Sequence, residues 1–285
     1  MSGLALILIL VAAFLHASWN LLAKRAGGTE RFVWLYGVAS TILYAPLIFW
    51  RLATLPAPLS ARAWGFMAGS GVLNLLYFIT LQRGYRVGDL SLVYPLARGT
   101  GPLIVMALAA VWLGERPSLL AIGGALLVAA GIFVLTTGGR ASGRRGREAV
   151  LWGLVTGVLI ACYSVWDKYA VSRLDVPPLV LPWASSLAIV LFLTPLAVAR
   201  WSDVRADWRA HGREALAIAV LFPLAYMLVL AAMTFTPVSY VASAREISIL
   251  FGALMGARVL KEGDASRRSW AGALMIGGLA ALALG

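Results

Sequence analysis

Cysteine occurs once in this 285-residue chain, at Cys162, so no disulfide can close within it. Histidine occurs twice, at His16 and His211, and Asp plus Glu only 12 times. The patterns His-Glu-x-x-His, Gly-x-Ser-x-Gly and Gly-x-x-x-x-Gly-Lys-[Ser/Thr] are all missing. A zinc-protease helix, a serine nucleophile elbow and a P-loop ATPase therefore have no motif to rest on. An intramembrane enzyme would need a paired nucleophile and base or a metal cluster, and neither is legible. No catalytic residue, metal site or cofactor is expected. Charge is scarce as a whole. Charged residues make up 13% and hydrophobic ones 61%, whereas a soluble domain carries roughly 25% charged residues. So much apolar surface has to be solvated by a lipid bilayer. The net charge of +12 does not point to nucleic acid, because the arginines cluster between apolar runs, as in membrane loops.

A helix crossing the bilayer needs about 20 apolar residues. Ten runs qualify: about 3–23, 32–50, 63–82, 90–113, 118–137, 149–169, 177–199, 214–234, 238–259 and 269–285. They are continuous and rich in Leu and Ala, unlike the short alternating strands of a membrane barrel. Met1-Ser2-Gly3 lacks a basic signal-peptide region, so the first run is expected to be retained. The odd-numbered connections hold 17 Lys and Arg, and the even-numbered ones hold five. The positive-inside rule then puts the odd connections in the cytoplasm and both termini outside. The setting expected is a bacterial-type inner (plasma) membrane, with the chain a monomer or weak homodimer.

The first and second halves match at an offset of 147 to 149 residues. Trp19-Asn20 faces Trp166-Asp167, Pro46 faces Pro195, Ala97-Arg98 faces Ala244-Arg245, and Glu115 faces Glu262. Each copy holds five spans. An odd number makes the second copy enter the membrane from the opposite face. The expected fold is an all-α membrane protein: ten transmembrane helices as two inverted five-helix repeats around a central cavity. The first repeat covers 1–137, a basic linker loop 138–148, and the second repeat 149–285. Inverted repeats of this kind place a substrate near the midplane, where the copies meet.

"HASWNLLAKR" at 16–25 and "SLVYPLARGTGPLIVMALAAVWLGERPS" at 91–118 resemble the EamA-type branch of the drug/metabolite transporter superfamily. The resemblance spans nearly the whole chain. It implies a ten-helix basket whose cavity is lined by helices 1, 3, 4, 6, 8 and 9, and export of amino acids or other small metabolites. Many relatives have cytoplasmic termini, which the charge count here contradicts. The second copy also departs from the pattern, with Lys261-Glu262-Gly263 where the first has Gly114-Glu115-Arg116.

Candidate site residues are the polar groups that interrupt the spans. Arg98 and Arg245 sit mid-span, where a charge is costly and normally faces a cavity or a partner. Each either meets substrate or forms an ion pair with Asp167 or Glu246. Tyr94 and Pro102 share the face of Arg98, and Gly99 and Gly101 thin that helix enough to admit a ligand. Asp167 and Glu246 are the carboxylates well inside spans, suited to a substrate ammonium or a coupling proton. His16, Trp19 and Asn20 share a face that Tyr163, Trp166 and Asp167 repeat. The tryptophans line a cavity or anchor at the interface, and His16 relays protons or packs. Asn74 and Tyr77 on the third span, Tyr226 on the eighth and Ser243 on the ninth complete the set. Glu115 and Glu262 read as helix caps or loop ion pairs. Gly65/Gly69, Gly153/Gly157 and Gly252/Gly256 read as close-packing pairs. The expected function is secondary export of small polar metabolites, amino acids first among them. A carrier of sugar phosphates or nucleotide sugars and a multidrug exporter are the alternatives.

Overall fold

The computed structural model describes residues 1–26, 29–87, 90–136, 143–260 and 265–285. Among them there is no strand. The helices are α1 (Gly3–Arg25), α2 (Glu30–Ala53), α3 (Ala61–Val87), α4 (Leu90–Leu108), α5 (Leu119–Thr136), α6 (Gly143–Arg173), α7 (Val180–Ala199), α8 (Trp201–Phe235), α9 (Val238–Ala244), α10 (Ile247–Leu260) and α11 (Ala265–Leu284). Every expected span is helical. Among the described residues eight stretches are long and apolar enough to cross a membrane, and α5 and α11 contain shorter apolar helices. Large side chains such as Ile7, Phe49, Val111 and Leu119 stand 60%, 61%, 89% and 87% exposed. Water would penalise that surface heavily, and lipid does not.

Three details differ from the sequence expectation. The ninth span is two helices, broken at Arg245-Glu246 between α9 and α10. The linker is not a loop throughout: residues 137–142 and Glu262 lie outside the described residues, but α6 starts at Gly143. Arg and Glu are good helix formers, so the helix runs on past the apolar run. The fourth span ends in a π-helical turn, Ala109–Leu113, closed by Gly114 at φ 70°. A left-handed residue there stops the helix, and glycine adopts it without strain.

Helix starts are capped by side chains. Ser2 accepts from Ala5 N, Thr29 from Phe32 N, Ser60 from Ala63 N and Ser118 from Ala121 N, at 3.0–3.2 Å. Such caps satisfy amides that lack an intrahelical partner. The described ends of α1 and α3 and the starts of α2 and α8, which flank odd-numbered connections, meet at one end of the bundle, the odd-connection end. There Arg31 pairs with Asp203 and Asp207, and Arg86 with Glu30. The even-numbered connections and both termini meet at the other end, where the Met1 ammonium donates to Ala283 O at 2.9 Å. At that end Glu115 accepts from Val238 N (2.7 Å), Ser239 N (3.1 Å) and Ser239 Oγ (2.6 Å), capping α9 from the connection that precedes α5. Lys168 Nζ donates to the carbonyls of Met233 and Thr236, the last turn of α8. The α8–α9 connection is thus held by one carboxylate and one ammonium, each at the helix end its charge suits.

Packing between spans relies on small residues. Gly153 and Gly157 on α6 lie against Val93, Leu96, Ala97 and Thr100 of α4. Gly65 and Gly252, expected to pack likewise, have nothing within 4 Å of an added Cβ. Among the closest seams is α5–α11. A Cβ on Gly278 would stand 2.6 Å from Gly124 O, and one on Gly124 2.7 Å from Gly278 O. Gly278→Leu should separate the two helices, at the cost of about 1–3 kcal/mol that overpacking carries. Gly123→Leu, at a glycine whose added Cβ meets nothing, is the matched control. Thermal melting in detergent should fall for the first variant and not for the second.

Candidate functional site

A cavity of about 310 Å³ lies where the two repeats meet, a size within the range of small-molecule sites. The first repeat contributes His16, Trp19 and Asn20 from α1, Phe32 and Tyr36 from α2, Asn74, Tyr77 and Gln82 from α3, and Tyr94 and Arg98 from α4. The second contributes Tyr163 from α6, Ser185 from α7, Phe222 and Tyr226 from α8, and Arg245 and Ser248 at the break in the ninth span. Alanines 12, 13, 23 and 225 complete the wall, and their short side chains leave the space. Toward the odd-connection end the wall reaches Ala23, Phe32 and Gln82, close to the ends of their helices. Helices α2 and α7 line it in addition to the six that the resemblance implied.

Arg98 and Arg245 are 7% exposed, and Glu246 between them is fully buried. Glu246 Oε2 lies 2.9 Å from Arg98 Nε, and Oε1 lies 3.4 Å from Arg245 Nε. The contact with Arg98 is a charge pair rather than an aligned hydrogen bond. One carboxylate therefore serves two guanidinium groups. Arg245 is held further: Nη2 reaches Tyr163 OH and Ser164 Oγ, each at 3.3 Å, and its guanidinium lies 5.7 Å from the Tyr163 ring centre. Arg98 has Tyr94 beside it and otherwise faces the cavity. Two cations and one anion leave a surplus positive charge at the wall, in a region where charge is poorly screened.

Ten of the fourteen sequence candidates line the cavity: His16, Trp19, Asn20, Asn74, Tyr77, Tyr94, Arg98, Tyr163, Tyr226 and Arg245. Four do not. Trp166 turns toward α3, stacks on Phe66 with ring centres 4.1 Å apart, and donates from Nε1 to Phe66 O at 2.8 Å. Gly69 makes this possible, since a Cβ there would sit 2.6 Å from the indole. Asp167 is fully buried behind Tyr226, whose hydroxyl donates to Oδ2 at 2.5 Å, while Oδ1 has no hydrogen-bond partner. Ser243 donates to Ser239 O one turn back, and Glu246 is taken up by the arginines. The carboxylates expected to meet a substrate ammonium are thus off the wall. Gly99 and Gly101 do not admit a ligand either: Cβ atoms there would meet Phe133 at 3.0 Å and Ile160 at 3.1 Å.

The wall's hydrogen-bonding groups include neutral amides. Asn20 Nδ2 donates to His16 O at 2.7 Å, and Asn74 Nδ2 to Ser70 O at 2.9 Å. Each amide nitrogen spends one N–H on its own helix, and the amide oxygens remain as acceptors. Trp19 Nε1 is buried without a partner, and its ring meets His16 and Phe222 edge-on. Sequence reasoning missed Tyr36, Gln82, Ser185, Phe222 and Ser248. A signal existed for one pair: Tyr36 and Ser185 stand at the 149-residue offset that relates Tyr77 to Tyr226.

Apolar helices in two five-span halves around a polar cavity define a multi-pass membrane transporter. The EamA-like transporter family matches residues 3–137 and 147–284, and the chain belongs to that family, within the drug/metabolite transporter superfamily. A crystal structure described only as "Crystal structure of protein" has a TM-score of 0.79 to this chain at 17% identity, covering 98% of each. That likeness is one of fold. The comparison with curated proteins gives no match.

Removing Glu246 leaves two buried guanidinium groups without the carboxylate they share. Breaking a buried pair from one side typically costs about 3–5 kcal/mol. Glu246→Gln should accordingly melt at a clearly lower temperature than the parent protein in detergent. An unchanged melting curve would show that the arginines are neutralised elsewhere.

Proposed function

We propose that the chain exports small amphipathic zwitterions, amino acids with apolar side chains first among them, by alternating access and without ATP. The observation that carries this reading is the charge balance of the cavity: two guanidinium groups, one carboxylate already bound to them, and no carboxylate among the described residues of the wall. The surplus charge suits one substrate carboxylate. Arg98 is the better anchor, because Arg245 is already held by Tyr163 and Ser164. An ammonium would find the amide oxygens of Asn20 and Asn74, with Trp19 close by for a cation–π contact. Tyr36, Tyr77 and Phe222 would take the apolar side chain. A lipophilic cation would meet unfavourable charge, and a dianionic sugar phosphate would lack a second free cation. The charge count of the connections supports placing the odd-numbered ones in the cytoplasm of a bacterial-type inner membrane.

Counterflow in proteoliposomes tests this. Vesicles preloaded with leucine or phenylalanine should accumulate the labelled amino acid, and a sugar phosphate or a quaternary ammonium drug should not move. Movement of the phosphate in place of every amino acid would replace the zwitterion reading with the anion one. Arg98→Ala should lower exchange at least tenfold, as loss of a charged hydrogen bond worth about 1.5–3 kcal/mol requires. Exchange that survives Arg98→Ala unchanged would remove its anchoring role.

A further inference from the structure

The first ten residues of α8 do not belong to its span. At 35 residues a straight helix would be about 52 Å long, against a hydrocarbon core of about 30 Å. The backbone solves the mismatch at His211, whose φ of −134° and ψ of 24° interrupt the helix. Residues 212–235 continue as the span, and residues 201–210 form a separate helical segment at the odd-connection end. The corresponding stretch of the first repeat, 52–61 at the 149-residue offset, contains a turn and irregular chain instead. The same length of chain is therefore helical in the second repeat and irregular in the first.

Its charges are sorted. Asp203 and Asp207 both pair with Arg31, at 3.0 and 3.2 Å, and Thr29 Oγ1 donates to Asp207 Oδ2 at 3.4 Å. Arg205 and Arg209 are exposed and make no ion pair among the described residues. Trp201, Arg205, Trp208 and Arg209 are spaced i, i+4, i+7, i+8 and so share one edge of the helix. The two tryptophans are 47% and 43% exposed, and Val204 is the one buried residue of the segment. Both acids are thus taken up by Arg31, and the free cations stand beside half-exposed indoles. Indole favours the headgroup level of a bilayer, and unpaired arginines beside it favour phosphate-bearing anions.

We propose that residues 201–210 form an interfacial helix whose Trp201, Arg205, Trp208 and Arg209 edge binds the headgroups of anionic phospholipids. The segment bears on the transport cavity. Arg31 and Thr29, which hold it, belong to the start of α2, and the His211 ring meets Phe32 of the cavity wall edge-on at 6.3 Å. A bound headgroup fixes the segment to the membrane surface and, through these contacts, the position of the α2 start.

The test is lipid retention on the purified full chain, followed by native mass spectrometry during titration with phosphatidylglycerol or phosphatidylcholine. Phosphatidylglycerol should be retained in preference. Two arginines near a membrane surface contribute together about a 25-fold preference, so Arg205→Gln with Arg209→Gln should lose most of it. Arg51→Gln, at the opposite end of the bundle, should retain it. Both sites are exposed, so the fold should be unaffected, and an unchanged melting temperature verifies this. Equal retention of the two lipids, or an unchanged preference in the double variant, would overturn the proposal. So would displacement of the lipid by millimolar inorganic phosphate, which would make this a free-anion site, or conversion of the variant from dimer to monomer, which would make the edge a contact between copies. None of these readings depends on the transported substrate.

Discussion

Two buried guanidinium groups held by a single carboxylate set the terms for the rest of this molecule. Arg98 and Arg245 are repeat mates, brought together from α4 and from the break in the ninth span. Burying either in isolation would be costly. Glu246 makes the arrangement tolerable, and its repeat mate is Gly99, so the first copy supplies no second acid. The same contact accounts for the interrupted helix. Glu246 reaches Arg98 with one oxygen and its neighbour Arg245 with the other. Adjacent residues on a regular helix point about 100° apart, so a continuous helix does not readily aim both side chains at one point. The turn at 245–246 does, and the amides are reconnected locally by Glu246 N to Ser243 O and Ser248 N to Arg245 O.

The repeat makes the site nearly symmetric, and small residues decide where the symmetry fails. Trp166 turns away from the cavity because Gly69 on α3 offers a slot for its indole. At the matching place in the other copy stands Ile218, buried in a cluster against which Trp19 packs. No slot exists there, and Trp19 remains on the cavity wall. Asn20 likewise lines the cavity while its mate Asp167 lies behind Tyr226. The acid of the pair is the one withdrawn, which is the electrostatic reason the wall keeps its positive surplus.

This explains which parts of the structure were legible in the sequence. Span number and the repeat follow from composition and offset, because a bilayer imposes length and apolarity on each helix separately. The mid-span arginines were legible for the same reason. The direction of a side chain is different, since it depends on a residue far away in the chain: Trp166 on Gly69, Glu246 on Arg98. The break at 245–246 carries no Pro or Gly to announce it, and Arg and Glu are good helix formers. The segment 201–210 was hidden for yet another reason. Its charges excluded it from a span, and nothing in its composition distinguished an ordered interfacial helix from a loop.

The arginine contact also constrains movement. Arg98 belongs to the first repeat and Glu246 to the second, so their 2.9 Å charge pair ties the two repeats together at mid-depth. A further tie, from Glu115 in the first repeat to the amides that open α9 in the second, lies at the even-connection end. Rocking of one repeat against the other strains both. The outer tie is made of a carboxylate and backbone amides, which a small substrate does not replace. The inner one is a shared guanidinium. On the zwitterion reading, a substrate carboxylate at Arg98 offers that guanidinium a second anion and weakens its hold on Glu246. Binding and release of the mid-depth tie are then a single event, which is the differential interaction that a ligand-dependent change of state requires.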